Sequence, residues 1–313
     1  MLRRVFAVEY VRRLRGGSQP HLLRCSDGQF YIVKFQNNPQ GKRILANELL
    51  GTKIAERLNL LVSETAIVVV DQRFIKEVPA LNIQLARGNV PCHPGTCFGS
   101  RFLSAWPARK SPFLFAFDDL AGGKIKVRNL FDFAGMLVFD KWVCNTDRRQ
   151  IVLSREKRGY FYRAFVIDQG ACFNGEYWNF PDGPLYGIYR DTGVYSGITG
   201  IEAFQPWISK LHSELSLSAL REVASDIPEE WYDGDAKSLA HLLTMLDLRR
   251  RDIIRLLENT RDVSPQAFPN WKKVSVEVRS AGLMIRQEAH GVGVPPNVGA
   301  RFVGDHLGQE DKA

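Results

Sequence analysis

Asp147 and Asp168 are the residues of this 313-residue chain whose setting first suggests chemistry. Asn145-Thr146-Asp147-Arg148-Arg149-Gln150 is a polar loop. Two runs of alternating apolar residues follow, 151–154 and 160–167, joined by the charged, glycine-containing turn 155–159, and Asp168-Gln169-Gly170 closes the unit. That is the pattern of a β-hairpin. Gln150 stands just before the first strand and Asp168 just after the second, so pairing brings them to the same open end, with facing backbones about 5 Å apart. Asp147, Gln150 and Asp168 are therefore expected to converge at one rim. Two carboxylates and an amide oxygen in one cleft suit a magnesium–phosphate site, because the hard cation takes oxygen ligands and phosphate oxygens complete its shell. Asx-rich loops also serve as plain turns, held by side chain to backbone bonds, and spacing alone leaves both readings open.

Positioning such a site takes surrounding elements. An apolar helix precedes the loop, with Leu130, Phe131, Phe133, Met136, Leu137, Phe139, Trp142 and Val143 on its inward side. Strands are expected at 5–14, 22–24, 30–35 and 62–71, with 98–102 re-entering a sheet after a loop-rich stretch at 78–97. Lys34 lies in the apolar run Tyr31-Ile32-Val33-Lys34-Phe35, where an ammonium group needs a partner or a route to water. Residues 39–60 read as a helix with Ile44, Leu45, Leu49, Ile54 and Leu58 inward and Glu48 among them. Gly16-Gly17-Ser18 breaks the first strand; such a turn is an ordinary hairpin, or one whose backbone N–H groups approach a phosphate closely. Residues 107–112 form a polar, proline-bearing insertion, and 113–120 read as a last strand or a hinge. The chain from 173 to 200 is aromatic and turn-rich. Three helices are expected over 201–259, with 238–257 amphipathic and Arg249, Arg250 and Arg251 on a solvated face. Beyond 260 the pattern gives way to a polar tail.

Several phrases resemble one known group: RGGSQPHLL, YIVKFQNN, LANELL, FGSRF, LVFDKWVCNTDRRQ, VIDQGACFN, WNFPDGPL and TGIEAFQPW. Asn-x-Asp-x-x-Gln, a hairpin and Ile-Asp-x-Gly resemble the catalytic and metal-binding loops of the protein-kinase-like superfamily, and within it a short bacterial branch of the HipA-like kinases. The resemblance covers roughly residues 5 to 260. It implies an α+β, two-lobed protein-kinase-like fold, with a small β-rich lobe over 1–118, a helical lobe over 119–260 and a partly disordered tail over 261–313. It implies ATP and magnesium as cofactors. Asp147 would position or deprotonate the attacking hydroxyl, Lys34 would anchor phosphate with Glu48 holding it, and Asp168 would bind the metal. Arg15, Gly16, Gly17, Ser18 and Gln19 would form the phosphate turn. The sequence departs from the pattern in one place: many kinases carry Asn five residues after the catalytic Asp, and here that position is Val152. Gln150 is the substitute, which puts the second metal contact in doubt. The acceptor would be a Ser/Thr hydroxyl, expected on a protein. A nucleotide-binding scaffold without turnover is the first rival.

Composition bounds these readings. Hydrophobic content of 45% supplies a core. No apolar run approaches the eighteen residues of a membrane span, and the basic start lacks the apolar stretch of a signal peptide, so a cytoplasmic protein without membrane contact is expected. Five scattered cysteines argue against a disulfide framework. Cys92-His93-Pro94-Gly95-Thr96-Cys97 resembles half a zinc site, but no second half follows. A net charge of +8 and a pI near 9.3 are compatible with a nucleotide cleft and with nucleic acid, the second rival partner.

Overall fold

β-Branched and aromatic residues recur along the strands of the first hundred positions, and they build a barrel. The structure, a computed structural model, describes residues 2–103, 126–155 and 161–272. Strands β1 (Arg3–Arg13), β2 (His21–Cys25), β3 (Phe30–Lys34), β4 (Thr65–Val70) and β7 (Gly95–Arg101) close in the order β1-β2-β3-β7-β4. Antiparallel pairing holds all but the last seam, where β1 runs parallel to β4 with Arg3 opposite Ala66. Val5, Leu23, Tyr31, Val33, Val68 and Cys97 fill the barrel's core cluster. Close packing demands glycine at Gly99, where a Cβ would sit 2.4 Å from Val68 Cγ2. Between β4 and β7 lie a short helix, α2 (Gln72–Glu77), capped by the Asp71 carboxylate, and a hairpin of β5 (Asn82–Leu85) and β6 (Gly88–Pro91). The expected loop over 78–97 is thus partly a hairpin; its strands are only four residues each and almost wholly exposed, so no core-facing alternation marks them in the sequence.

Helix α1 (Arg43–Arg57) packs beside the barrel. Its residues from Ile44 to Thr52 are all buried, including Asn47 and Glu48. A helix buried on every side carries polar groups only where partners await them.

After the barrel comes a three-stranded sheet in the order β8-β10-β9. β9 (Gln150–Arg155) and β10 (Phe161–Ile167) are antiparallel, with Gln150 opposite Ile167, as the hairpin pattern predicts; β8 (Lys126–Val127) runs parallel to β10. Helix α3 (Asp132–Trp142) is buried from Phe133 onward. Leu130 and Phe131, expected inward, precede it and are exposed. Gly135 lets Trp207 approach: a Cβ there would lie 2.2 Å from the indole nitrogen.

Four helices follow rather than three: α4 (Gln205–Glu214), α5 (Leu217–Ala224), α6 (Ala236–Arg249) and α7 (Ile253–Val263). The amphipathic run at 238–257 is divided by a 3-10 turn, Arg250–Asp252. Arg249 is the reason the break matters. It is buried, not solvated: Nε donates to Trp142 O at 3.0 Å, and the guanidinium grips Asp182 at 2.6 and 2.9 Å. It caps the carbonyl end of α3, where a cation is favoured. The tail also starts later than expected, since α7 runs to Val263 and Phe268 is buried. The 113–120 hinge and the expected boundary at 118 lie outside the described residues, as do the charged turn at 156–159 and the rest of the tail.

Candidate active site

The barrel and the helical region leave a cleft of about 570 Å³ between them, within the range of small-molecule sites. Lys34, at the end of β3, points into it and is almost fully buried. Its Nζ bonds Glu48 Oε1 of α1 and donates to Asp168 Oδ1 at 2.8 Å. Glu48 Oε2 in turn accepts from the Gln169 backbone N–H at 3.1 Å. One helix carboxylate thus ties the strand lysine to the loop after β10.

Burial works against all three charges, and the ion pairs decide the outcome for two. Desolvation would lower the Lys34 pKa, but Glu48 and Asp168 raise it above the ordinary lysine value. Desolvation would raise Asp168, but Lys34 and Arg149 bring it down to about 2. For Glu48, desolvation prevails over Lys34, and its pKa is raised. Asp168 is the member with spare capacity. Its side chain is 37% exposed, and it opens onto the cleft. Its backbone is left-handed, at φ 60, which Asp tolerates better than most residues.

Asp147 and Gln150 line the same cleft, so the hairpin does gather the three oxygen-bearing side chains. Asp147 is exposed; Oδ1 accepts from Arg148 N at 2.7 Å and Oδ2 from Gln150 Nε2 at 3.2 Å. With the Gln150 amide nitrogen so engaged, its carbonyl oxygen is the atom available to a cation. Val152 also lines the cleft, as an apolar surface with no ligand to offer. Arg149 is not part of the cleft lining. It is wholly buried and bonds Asp140, Ile167 O and Gln169 Oε1, clamping the 145–150 loop to the 167–169 loop. Asn145 fixes the same loop, donating to Asp140 Oδ1 at 2.9 Å and accepting from Asp147 N.

Arg15, Gly16, Gly17 and Ser18 line the cleft opposite these loops. Gly16 has φ 144, a conformation open to glycine. Gln19 does not join them. Its side-chain amide pairs with the backbone of Gln84 at 2.7 Å in both directions, tying the turn to β5. Gln40, which nothing in the sequence singles out, also lines the cleft, and its Nε2 lies 2.7 Å from where a Gly17 Cβ would sit. Ile32, Phe98, Val152 and Val166 give the cleft apolar surface.

The donor set fits a nucleotide with a hard cation. The oxygens of Asp168, Asp147 and Gln150 are of the right type, and the cleft has the room. Among the described residues no three His, Cys, Asp or Glu side chains cluster tightly enough to hold a metal by themselves. The Cys92 to Cys97 stretch is likewise no metal site: both thiols are buried in the barrel region, Cys92 against His21, and burial pushes Cys92 up to about 12.

Asn47 is the other residue that sequence reading passed over. It sits beside Glu48 and binds three carbonyls of the segment after Asp168. A buried Asn in the apolar run LANELL was the available signal.

Among solved structures, the chain is similar to the Helicobacter pylori proinflammatory kinase CtkA, at 15% identity over 82% of this chain and 100% of that one, with a TM-score of 0.51. It is more distantly similar to the Golgi casein kinase (13% identity, 83% and 73% covered, TM-score 0.44) and to hydra Fam20 (11% identity, 86% and 88% covered, TM-score 0.42). No curated protein matches the sequence. The fold is α+β and kinase-like, β-rich first and helical after. The family model for HipA-like kinases matches residues 7–261, so the chain belongs to the HipA-like kinase family.

Proposed function

We propose that the protein is an ATP- and magnesium-dependent phosphotransferase that phosphorylates a Ser/Thr hydroxyl of a protein. The observation that carries the reading is the Lys34 ammonium held between Glu48 and Asp168 at the floor of the cleft. Family membership supports a kinase-type phosphotransferase.

Each residue then has a task. Backbone N–H groups of Gly16 to Ser18 and the Arg15 side chain, which line the cleft, would meet the triphosphate. Lys34 steadies phosphate oxygens, and Glu48 keeps it aimed. Asp168, with Gln150, would hold the cation, which when bound neutralises charge that develops on the phosphate oxygens. Asp147 orients the acceptor hydroxyl. The acceptor oxygen attacks the γ-phosphorus, the bond to the β–γ bridging oxygen breaks, ADP leaves, and the hydroxyl proton passes to Asp147. Phosphoryl transfer asks mainly for positioning and charge stabilisation, and this rigidly bonded floor is suited to both.

The test is transfer of radiolabelled γ-phosphate to added protein or to the chain itself, with Asp147→Asn and Asp168→Asn as controls. Transfer by the wild type and loss in both variants is expected. Equal transfer by all three overturns the reading. Val152 at the position where many kinases place Asn favours one second reading, a nucleotide-binding scaffold. It predicts an ATP-induced thermal shift without product. Among the described residues no helix is long and apolar enough to cross a membrane. The basic residues Arg12, Arg13 and Arg15 line the cleft, so they give a nucleotide, rather than nucleic acid, the first claim on that charge.

A further inference from the structure

We propose that Asn47 is a positioning residue that sets the aim of Asp168 by fastening the segment after it to helix α1. The inference rests on the kinase reading of the cleft. Asn47 is fully buried. Its Nδ2, with one of its two hydrogens shared, donates to Gly170 O at 2.9 Å, Cys172 O at 3.1 Å and Gly175 O at 2.8 Å. Its Oδ1 accepts from Trp178 Nε1 at 2.7 Å. The amide orientation is forced by chemistry: the indole N–H can only donate and the three carbonyls can only accept.

What Asn47 fastens is an unusual backbone. Phe173, Asn174 and Gly175 are all left-handed, at φ 59, 58 and 64. A bulky residue such as Phe173 holds that conformation only where its surroundings over-determine it. The bonded carbonyls of Cys172 and Gly175 bracket this run. Packing repeats the message. A Cβ on Gly170 would lie 2.8 Å from Ile44 Cγ2, and one on Gly51 would lie 2.8 Å from Gln169 Cβ. So the helix that holds Lys34 through Glu48 also holds the loop of Asp168 through Asn47, its immediate neighbour. One rigid element sets both ends of the Lys34–Asp168 contact.

A fixed link of this kind predicts that the metal end of the site depends on Asn47 while the lysine end does not. Asn47→Asp keeps the acceptor for Trp178 and turns the donors into an oxygen facing three carbonyls. Two measurements test it. The first is hydrogen exchange of the metal-free protein, in which amides of 169–178 should exchange at least about 10-fold faster while those of β3 stay protected. The second is a magnesium titration of phosphate transfer. The midpoint should rise about 10-fold and kcat fall about 100-fold, with metal-free ATP affinity changing by less than about 3-fold. A folded variant with the wild-type magnesium midpoint overturns the proposal, as does faster exchange spread over the whole chain. Should Asn47→Asp fail to fold, Trp178→Phe removes the indole N–H that Asn47 accepts while keeping an aromatic ring beside Arg43 and Tyr232. It should raise the midpoint about 3-fold, and an unchanged midpoint overturns the proposal. A wild type that neither binds ATP nor transfers phosphate sinks the kinase reading itself; an active wild type with unaltered variants sinks the role of Asn47 alone.

Discussion

Two ionic clusters sit a few residues apart in this molecule, and they are built to opposite ends. Arg149 and Asp140 are both wholly buried and saturated. The guanidinium spends its donors on Asp140, Ile167 O and Gln169 Oε1, and Asp140 also receives Asn145. Lys34, Glu48 and Asp168 use the same chemistry but leave it unfinished, with Asp168 opening onto the cleft. A saturated network has nothing left to offer a ligand, so it serves as scaffold. An open one keeps a carboxylate in reserve. The scaffold serves the open cluster directly, because Arg149 bridges the loops that carry Asp147 and Asp168.

If that contrast is right, substitutions in the two clusters fail in different currencies. The largest effect is expected on turnover. Asp168→Asn should lower kcat on the order of 10³-fold while costing about 1–2 kcal/mol at neutral pH, because charge stabilisation is lost together with the part of the stability that the depressed carboxyl supplies, and Lys34 keeps Glu48. Steady-state kinetics and urea unfolding measure the pair. The scaffold should respond the other way. Arg149→Leu leaves Asp140 buried without its partner and should cost about 3–5 kcal/mol in urea unfolding, with Arg149→Leu/Asp140→Leu recovering part of it. A third effect lies on pH. Burial holds His21 at about 4, down from 6.5. The unfolded chain then binds the extra proton first, so stability present at neutral pH drains away as pH falls from 6.5 through about 4, by up to about 3 kcal/mol. His21→Phe should flatten that limb. Asp168, depressed from 3.8 to about 2, contributes stability above pH 3.8 that is lost as pH falls further; Asp168→Asn should remove that portion and leave the His21 limb intact. The smallest effect belongs to Gln19→Ala, which frees the turn from β5 and should cost about 1 kcal/mol without abolishing turnover.

The open cluster was far more legible in sequence than the closed one. The family resemblance paired Lys34 with Glu48; the apolar runs around each, and the hairpin that placed Gln150 and Asp168 at one end, marked the elements that carry them. These depend on local periods, which a single sequence displays. Arg249 was misjudged because its burial depends on distant partners, Trp142 and Asp182. A charged residue in a loop or at a helix end looks solvated until the fold brings such partners to it. Gln19 was included with the phosphate turn by adjacency, whereas its amide is captured by Gln84, sixty-five residues on. In the left-handed run at Phe173 to Gly175 the Asn174-Gly175 pair reads as a turn, but Phe173 left no sequence signal, since its cost is met by Asn47 on another element.

The most direct test of the open cluster is calorimetric titration of ATP with and without magnesium, on the wild type and on Asp168→Asn. The wild type should bind ATP in both conditions and more tightly with magnesium, and the variant should keep metal-free binding but lose the magnesium-dependent gain. An equal gain in both proteins, or no ATP binding by the wild type, would contradict the role given to Lys34, Glu48 and Asp168.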